Sequence, residues 1–406
     1  MILRARALLT MNGAPIDDGA VAFSGGTITD AGAFAEVRRA NTGDVIDLGE
    51  RVLMPGLINA HCHLDYTCLR GRIPPAESFA AWIRSINERK AALTPDDYLR
   101  SIAEGFAEAA SFGTTTIANL EAFPELLRCM PASPLRTWWF AEMIDVRKRV
   151  RVAEIYDEMS ASIAAMRSDI NAIGLAPHAP FTASAALHQN AAAVAREQDL
   201  PITTHLAESQ DEMQMFRDGR GPLFDLMQSI GRPMDDCGQE TPLSLLLQNE
   251  LLDDRWIIAH LNELAETDFG LLARAQRFHI VHCPRSHAYF RHAPFAFGAL
   301  RKLGFSISLG TDSLATNDDL SLFREMRQLR ATEPAISARE LFDMVTTAPA
   351  RALGQAGSLG RIAAGFKADL IALPAAMAGE ELCDELLEFD ENVPWSMVNG
   401  RLAGSC

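Results

Sequence analysis

The sequence predicts an α/β protein built on a (β/α)8 TIM barrel. Two observations carry this. Through the middle of the chain, short apolar strands alternate with long Ala- and Leu-rich amphipathic stretches, the pattern of parallel βα units. Eight such strands can be counted over roughly 300 residues, the number that closes a barrel. An open doubly wound sheet would need a Gly-rich phosphate turn or a switch-point site, and the sequence offers neither.

The elements follow in order. The first fifty residues, with "ALLTMNGAPI", "GAVAFSGGTITDAG" and "GDVIDLG", read as short strands joined by turns. The predicted barrel strands are "RVLMPGLINAHCH", "GTTTIANLE", "LRTWWFAEMID", "INAIGLAPHAP", "PITTHLAES", "RWIIAHLNE", "FHIVHCPRSH" and "FSISLGTDS", each with helical sequence after it. "SFAAWIRSINERKAAL" and "PDDYLRSIAEGFAEAASFG" carry apolar residues at helical spacing. The C-terminal pieces "GRIAAGFKADLIALP" and "WSMVNGRLAG" return to the strand-and-turn texture of the N-terminus.

Composition narrows the partners. The formal net charge is −16, and the only lysines are Lys90, Lys148, Lys302 and Lys367. That balance disfavours nucleic acid and acidic membrane surfaces. No apolar stretch could span a bilayer, and no secretory leader is evident. Seven cysteines without a CxxC pair suggest reduced thiols in a cytoplasmic protein. The expected partner is a small-molecule substrate, and a homodimer is the quaternary state considered.

Polar residues gather where barrel chemistry sits, at the C-terminal strand ends. His61 and His63 end the first strand, His178 the fourth, and His205 the fifth, with Glu208 three residues on. His260 ends the sixth, His282 and Cys283 the seventh, and Asp312 the eighth. Core histidines would scatter along strands and helices, whereas six of the ten histidines crowd this rim. Imidazoles with one carboxylate suit Zn²⁺ or Fe²⁺ rather than Mg²⁺ or Ca²⁺. His61, His63, His205 and Asp312 are the four candidate ligands. A second metal would need a bridging ligand such as a carboxylated lysine, and no lysine ends a predicted strand. One metal is therefore expected.

Each residue also has a plainer reading. Glu208 could serve a helix N-terminus, Asp312 could be an N-cap, and His178 a structural residue on a Pro-flanked loop. Cys62 and Cys68 read as packing residues. Trp82 could stack on a planar ring or pack the core. Walker A, HExxH and Cys-based deaminase signatures are absent.

Six segments together resemble the amidohydrolase superfamily, in its branch of mononuclear aminohydrolases: "PGLINAHCHLDY", "PHAPFTAS", "THLAES", "AHLNE", "GTDSLATN" and "GSLGRIAAGFKADLIAL". That branch includes S-adenosylhomocysteine and methylthioadenosine deaminases, aminofutalosine deaminase, guanine and cytosine deaminases, and triazine chlorohydrolases. The resemblance covers nearly the whole chain. It implies that residues 1–55 and 358–406 form a composite β-sandwich beside a barrel domain of residues 56–357. It implies one divalent transition metal, zinc with Fe²⁺ as the alternative, on His61, His63, His205 and Asp312. Asp312 would take a proton from the attacking water, and His260 would orient that water. Glu208 would protonate a ring nitrogen, and His178 would contact substrate.

The implied reaction is hydrolytic deamination of a 6-aminopurine nucleoside, of the adenosine-analogue or aminodeoxyfutalosine class. Guanine, cytosine or pterin deamination, or a triazine-type hydrolysis, are the alternatives. A non-enzymatic scaffold would be expected to lack ligands, and none is missing. Two departures from the family stand out. His287 occupies a position where relatives carry Asn, in a loop expected to line the pocket. The glutamate that grips the ribose in methylthioadenosine deaminases has no match near Glu88.

Overall fold

The computed structural model describes residues 1–130, 133–166, 168–248, 250–377 and 379–402. Its centre is a wholly parallel sheet. The strands are Leu57–His63, Thr114–Glu121, Arg136–Met143, Asn171–Pro177, Ile202–Leu206, Trp256–His260 and His279–His282. The eighth runs as Ser306–Leu309 and then Asp312–Ser313. Each strand pairs with the next in sequence.

The eighth strand closes the ring. Its first part pairs with the seventh, and Asp312 and Ser313 pair with Cys62 and His63 of the first. Between them, Gly310 N donates to His282 O (3.0 Å) and Thr311 N to His61 O (3.1 Å). The chain thus steps from the seventh strand to the first within two residues. Gly310 is required there, because a Cβ would stand 2.7 Å from the His61 carbonyl oxygen. Asn59 fastens the same seam. Its Nδ2 donates to Thr311 Oγ1 (2.8 Å), and its Oδ1 accepts from Thr311 N (3.2 Å).

Alternation decides what lies inside. Ile58, Ala60, Ala118, Leu120, Trp138 and Phe140 belong to one apolar cluster drawn from several strands, the barrel interior. Ile117, Trp139, Leu175, Ile202, Trp256 and Ile258 face the other way, against the helices. Two predicted helices form as expected. Phe79–Lys90 starts with Ser78 accepting from Ala81 N, and Pro95–Ser111 starts with a Thr94–Asp97 capping box.

Two expectations are corrected. The predicted first strand, 51–63, is two strands in two sheets, Arg51–Pro55 and Leu57–His63. The break is at Gly56, packed so close that a Cβ would lie 2.1 Å from the Thr115 side chain. The second strand is followed by a six-residue 3₁₀ turn, Pro124–Cys129, rather than an α-helix. Pro131 and Pro134 follow it closely in the sequence, which leaves no room for a longer helix.

The two chain ends share a second sheet. It contains Ile2–Leu8, Ile16–Ser24, Thr27–Ala33, Val45–Asp47 and Arg51–Pro55 from the N-terminal end. Leu370–Pro374, Trp395–Val398 and Arg401–Leu402 complete it, with Leu370–Pro374 antiparallel to Arg51–Pro55. One edge of Ile2–Leu8 is divided between Val45–Asp47 and Arg51–Pro55. Leu3, Val21, Leu53, Leu370 and Met397 pack into a core of their own.

Arg136, at the foot of the third barrel strand, reaches Asp369, just before Leu370–Pro374. Its Nε donates to Oδ2 at 2.7 Å, and Asn399 N donates to Oδ1 at 2.6 Å. The two side chains are 9% and 5% exposed. Removing one partner of such a buried pair leaves an uncompensated charge. Asp369→Ala should cost about 3–5 kcal/mol, read as a lower thermal unfolding midpoint. The double change Arg136→Met, Asp369→Leu should cost less. An unshifted midpoint for the single variant would show that the pair does not tie the sheets together.

No described helix is long and apolar enough to cross a membrane.

Candidate metal centre and active site

The first strand delivers two adjacent inward histidines through a bulge. Asn59 lies opposite Ile117, yet Cys62 lies opposite Asn119, so the first strand holds one residue more than its partner. Ile58 and Ala60 face the interior, while Cys62 and Leu64 face the helices. The extra residue flips the parity, and both His61 and His63 turn inward after Ala60.

His205 and Asp312 meet them. His63 Nε2 lies 3.2 Å from His205 Nε2. Asp312 Oδ1 lies 3.8 Å from His61 Nε2 and 3.9 Å from His63 Nε2. Donor atoms about 2 Å from one centre stand at such mutual distances. His61 Nε2 is buried and has no hydrogen-bond partner. A buried ring nitrogen left without a partner among other donors is the state of a ligand. The set therefore fits a metal ion.

The supports are equally specific. His205 Nδ1 faces the His178 carbonyl at 2.8 Å, leaving Nε2 for the centre. Asp312 Oδ2 accepts from Ser286 Oγ (2.7 Å) and Thr316 Oγ1 (3.3 Å), which turns Oδ1 towards the histidines. Burial, with neighbouring imidazoles adding to it, holds His61 and His63 well below the ordinary histidine range. That environment favours the neutral form, in which imidazole binds a metal.

His260 reaches the site by backbone conformation. Strand alternation buries Ile257 inside and Ile258 outside, so His260 would face the helices. Its φ of 73° lies in the left-handed region and swings the ring inward. The ring centroid is 5.5 Å from that of His61 and 5.4 Å from that of His205. Asp312 also has positive φ, 55°. Such strain collects at functional sites and is held there by surrounding structure.

Glu208 faces His260, with Oε1 3.8 Å from Nε2. The loop that presents it is pinned. Glu208 N donates to Glu212 Oε2 (2.8 Å), and Asn262 Nδ2 donates to the Glu208 carbonyl (3.1 Å). Burial first, then the Asp312 and Glu212 carboxylates, push the Glu208 carboxyl well above its usual range. That environment favours its protonated form. His178 lines the same space, with Nδ1 against Thr182 Oγ1.

These groups open on a cavity of about 640 Å³, the size of a small-molecule site. His63, His178, His205, Glu208, His260 and Asp312 all line it, with His61 beneath. Trp82 contributes to its wall and stacks on Phe79, so it joins the pocket rather than the barrel core.

Two expectations fail on side-chain direction. In the seventh strand Val281 and Cys283 face the interior, so His282 points out and stacks on Phe295 at 4.0 Å. His287 follows it, 5.2 Å from the His282 ring and 5.3 Å from that of His292. Both border a separate cavity behind the site. His287 therefore stands outside the main pocket wall. Ser286, its neighbour on the short helix Pro284–Phe290, touches the site through Asp312. Glu142 was also missed, although the alternation Trp138, Phe140, Glu142 in "WWFAEM" marks it as inward.

A parallel barrel with imidazoles and a carboxylate converging at its strand C-termini defines a metal-dependent hydrolase, and the site is one for a divalent metal. The sequence profile of the amidohydrolase family matches residues 52–401. The chain belongs to that family.

Among its relatives is the 5-methylthioadenosine/S-adenosylhomocysteine deaminase of Pyrococcus furiosus, 30% identical over 344 residues, covering 82% of this chain and 77% of the relative. The aminodeoxyfutalosine deaminase of Deinococcus radiodurans is 27% identical over 378 residues, covering 87% and 85%. Helicobacter pylori aminofutalosine deaminase, in complex with methylthio-coformycin, shares the fold with a TM-score of 0.85 at 19% identity, covering 99% of each chain. Atrazine chlorohydrolase TrzN from Arthrobacter aurescens, complexed with zinc, shares it with a TM-score of 0.80 at 18% identity, covering 99% and 94%.

Proposed function

We propose that this protein is a hydrolytic deaminase of a 6-aminopurine nucleoside, an adenosine analogue or an aminodeoxyfutalosine-like compound, and that its metal is zinc. One observation carries the reading. A buried carboxyl, Glu208, and an imidazole, His260, face the His61, His63, His205 and Asp312 donors across one cavity. The relatives named above as nucleoside deaminases support the substrate class. Zinc is supported by the imidazole-rich donor set and by its presence in the related chlorohydrolase.

When bound, the metal supplies Lewis acidity and brings water towards hydroxide near neutral pH. The Asp312 carboxylate receives the proton of the attacking water, held in place by Ser286 and Thr316 at Oδ2. His260 Nε2 orients that water and stabilises the charge growing on its oxygen. Glu208 gives its proton to the purine ring nitrogen next to the reacting carbon. It then takes up the proton remaining on the new hydroxyl and passes it to the departing amine, which leaves as ammonia. The His178 ring positions the substrate.

The composite organisation fits this reading. Residues 56–357 form the barrel domain, and 1–55 with 358–406 form the composite β-sandwich. The divided edge of Ile2–Leu8 and a core drawn from both chain ends support the sandwich. Free thiols at the six described cysteines support a cytoplasmic setting.

The test is a panel of adenosine, 5′-modified adenosines, guanine, cytosine, pterins and amino- or chloro-triazines, assayed for ammonia and for change in ring absorbance. Adenosine analogues should be turned over. Turnover of guanine or a triazine, with none of any adenosine analogue, would overturn the substrate assignment.

A further inference from the structure

A cavity of about 800 Å³ lies at the opposite end of the eighth strand from the metal donors. Residues 304–307 line it, where the chain enters Ser306–Leu309, while Asp312 stands past the other end of that strand. The turn at residues 11–13 of the second sheet forms another side. The helices Phe297–Lys302, Ala338–Met344 and Thr347–Ala352 supply the rest. The cavity thus sits between the barrel and the composite sheet, and no step of the proposed reaction uses it.

Its charge runs against that of the chain. Acids outnumber Lys and Arg in the sequence by 53 to 37, yet Arg301, Arg339, Arg351 and Arg361 all line this cavity. Glu340 and Asp343 are the acids on its wall, so two positive charges stand in excess. Among the described residues, Arg301–Glu340 (2.8 Å) is the one ion pair on that wall. Asp343 Oδ1 instead accepts from Thr347 Oγ1 at 2.9 Å. Arg339 Nη1 donates to the Gly13 carbonyl (3.0 Å), and Arg351 Nη2 to Ser306 Oγ (3.5 Å). A guanidinium has five N–H donors, so each keeps several for a ligand. Ile362 N donates to Thr10 O (2.9 Å), which holds Arg361 beside the turn at residues 11–13. Beneath the guanidinium groups, Met11, Phe305 and Met344 are buried and give the cavity an apolar floor.

We infer that this cavity binds a small organic phosphate, a phosphate monoester on an apolar or ring-shaped body. Near neutral pH such a group carries about −1.5 to −2 charges, which balances the excess on the wall. Guanidinium forks engage phosphoryl oxygens in pairs, and arginine outnumbers lysine where that recognition matters. No lysine lines this cavity. The volume suits a whole small molecule rather than a bare anion, and the apolar floor receives its body. The ligand touches both the barrel and the composite sheet. The inference stands apart from the deaminase reading, since it uses none of the residues around the metal donors.

The test is calorimetry with phenyl phosphate on the metal-loaded wild type, Arg351→Gln, Arg361→Gln and Arg196→Gln. Arg196 is an exposed arginine on the helix Ala185–Glu197 and serves as the control. The wild type should bind phenyl phosphate. Each cavity variant should weaken that binding about tenfold or more, the scale of one charge-assisted hydrogen bond. Arg196→Gln should leave it unchanged. Phenyl sulfate has the same body with a single charge, and inorganic phosphate has the charge without the body. Both should bind the wild type more weakly than phenyl phosphate. Arg351 is exposed, so its replacement should leave the fold intact, which circular dichroism checks.

No binding by the wild type, or equal affinity in the wild type and both cavity variants, would overturn the inference. Equal affinity for phenyl sulfate would overturn the assignment to phosphate, and equal affinity for inorganic phosphate would overturn the organic body. Phosphate can also meet a metal ion, so His205→Ala is titrated beside the others. Binding that vanishes in His205→Ala and is unchanged in Arg351→Gln would place the ligand at the metal site and overturn the separate cavity. Binding that survives in His205→Ala and weakens in Arg351→Gln supports it.

Discussion

Glu208→Gln is expected to keep the full complement of metal while kcat falls by roughly 10²-fold or more, the scale of general acid–base catalysis. Glutamine preserves the shape and can still donate a hydrogen bond from its amide, but it cannot release a proton. The structure gives two reasons to expect a separation of metal content from rate. Glu208 is held by its own backbone contacts to Glu212 and Asn262, so the loop should survive the change. Its carboxyl faces His260 across the cavity and lies outside the His61–His63–His205 donor group. Metal analysis beside steady-state kinetics checks both halves. A near-normal kcat would remove Glu208 from proton transfer.

His205→Ala should behave in the opposite way, losing metal and activity together. His205 Nε2 stands 3.2 Å from His63 Nε2, and its other nitrogen is tied to the His178 carbonyl. Alanine removes one donor and also the group that the His178 carbonyl anchors. Metal per chain should drop from one equivalent to a small fraction after dialysis, and deamination should fall to background. Two equivalents in the wild type, or a variant that keeps its ion, would show that these donors do not form the mononuclear site.

Much of this site is legible in the sequence, and the unread parts have identifiable causes. Histidines at strand ends are visible because an apolar run ending in "HCH" or "THL" has few uses inside a core. Direction is harder. Simple alternation would send His260 outward and would treat His61 and Ala60 as facing opposite ways. A left-handed backbone at one and a bulge at the other reverse both. The same alternation, undisturbed, turns His282 away.

Contacts made by the excursions between strands are least legible. Ser286 meets Asp312, and Lys90 meets Tyr66, through pieces of chain whose approach depends on how each excursion folds back over the barrel. Gly56 likewise looks like part of a strand until the side chain of Thr115 fills the space beside it.

The seam between the first and eighth strands has a consequence for assembly. His61 and His63 belong to the first strand of the ring and Asp312 to its last, and backbone pairing at Cys62 and His63 brings them together. A metal held by both would act as a reversible cross-link over nearly the entire barrel. Its donor set cannot be complete until the final strand has docked, so it rewards the closed ring and leaves partly wound intermediates unassisted. Opening the ring at this seam would split the donor set.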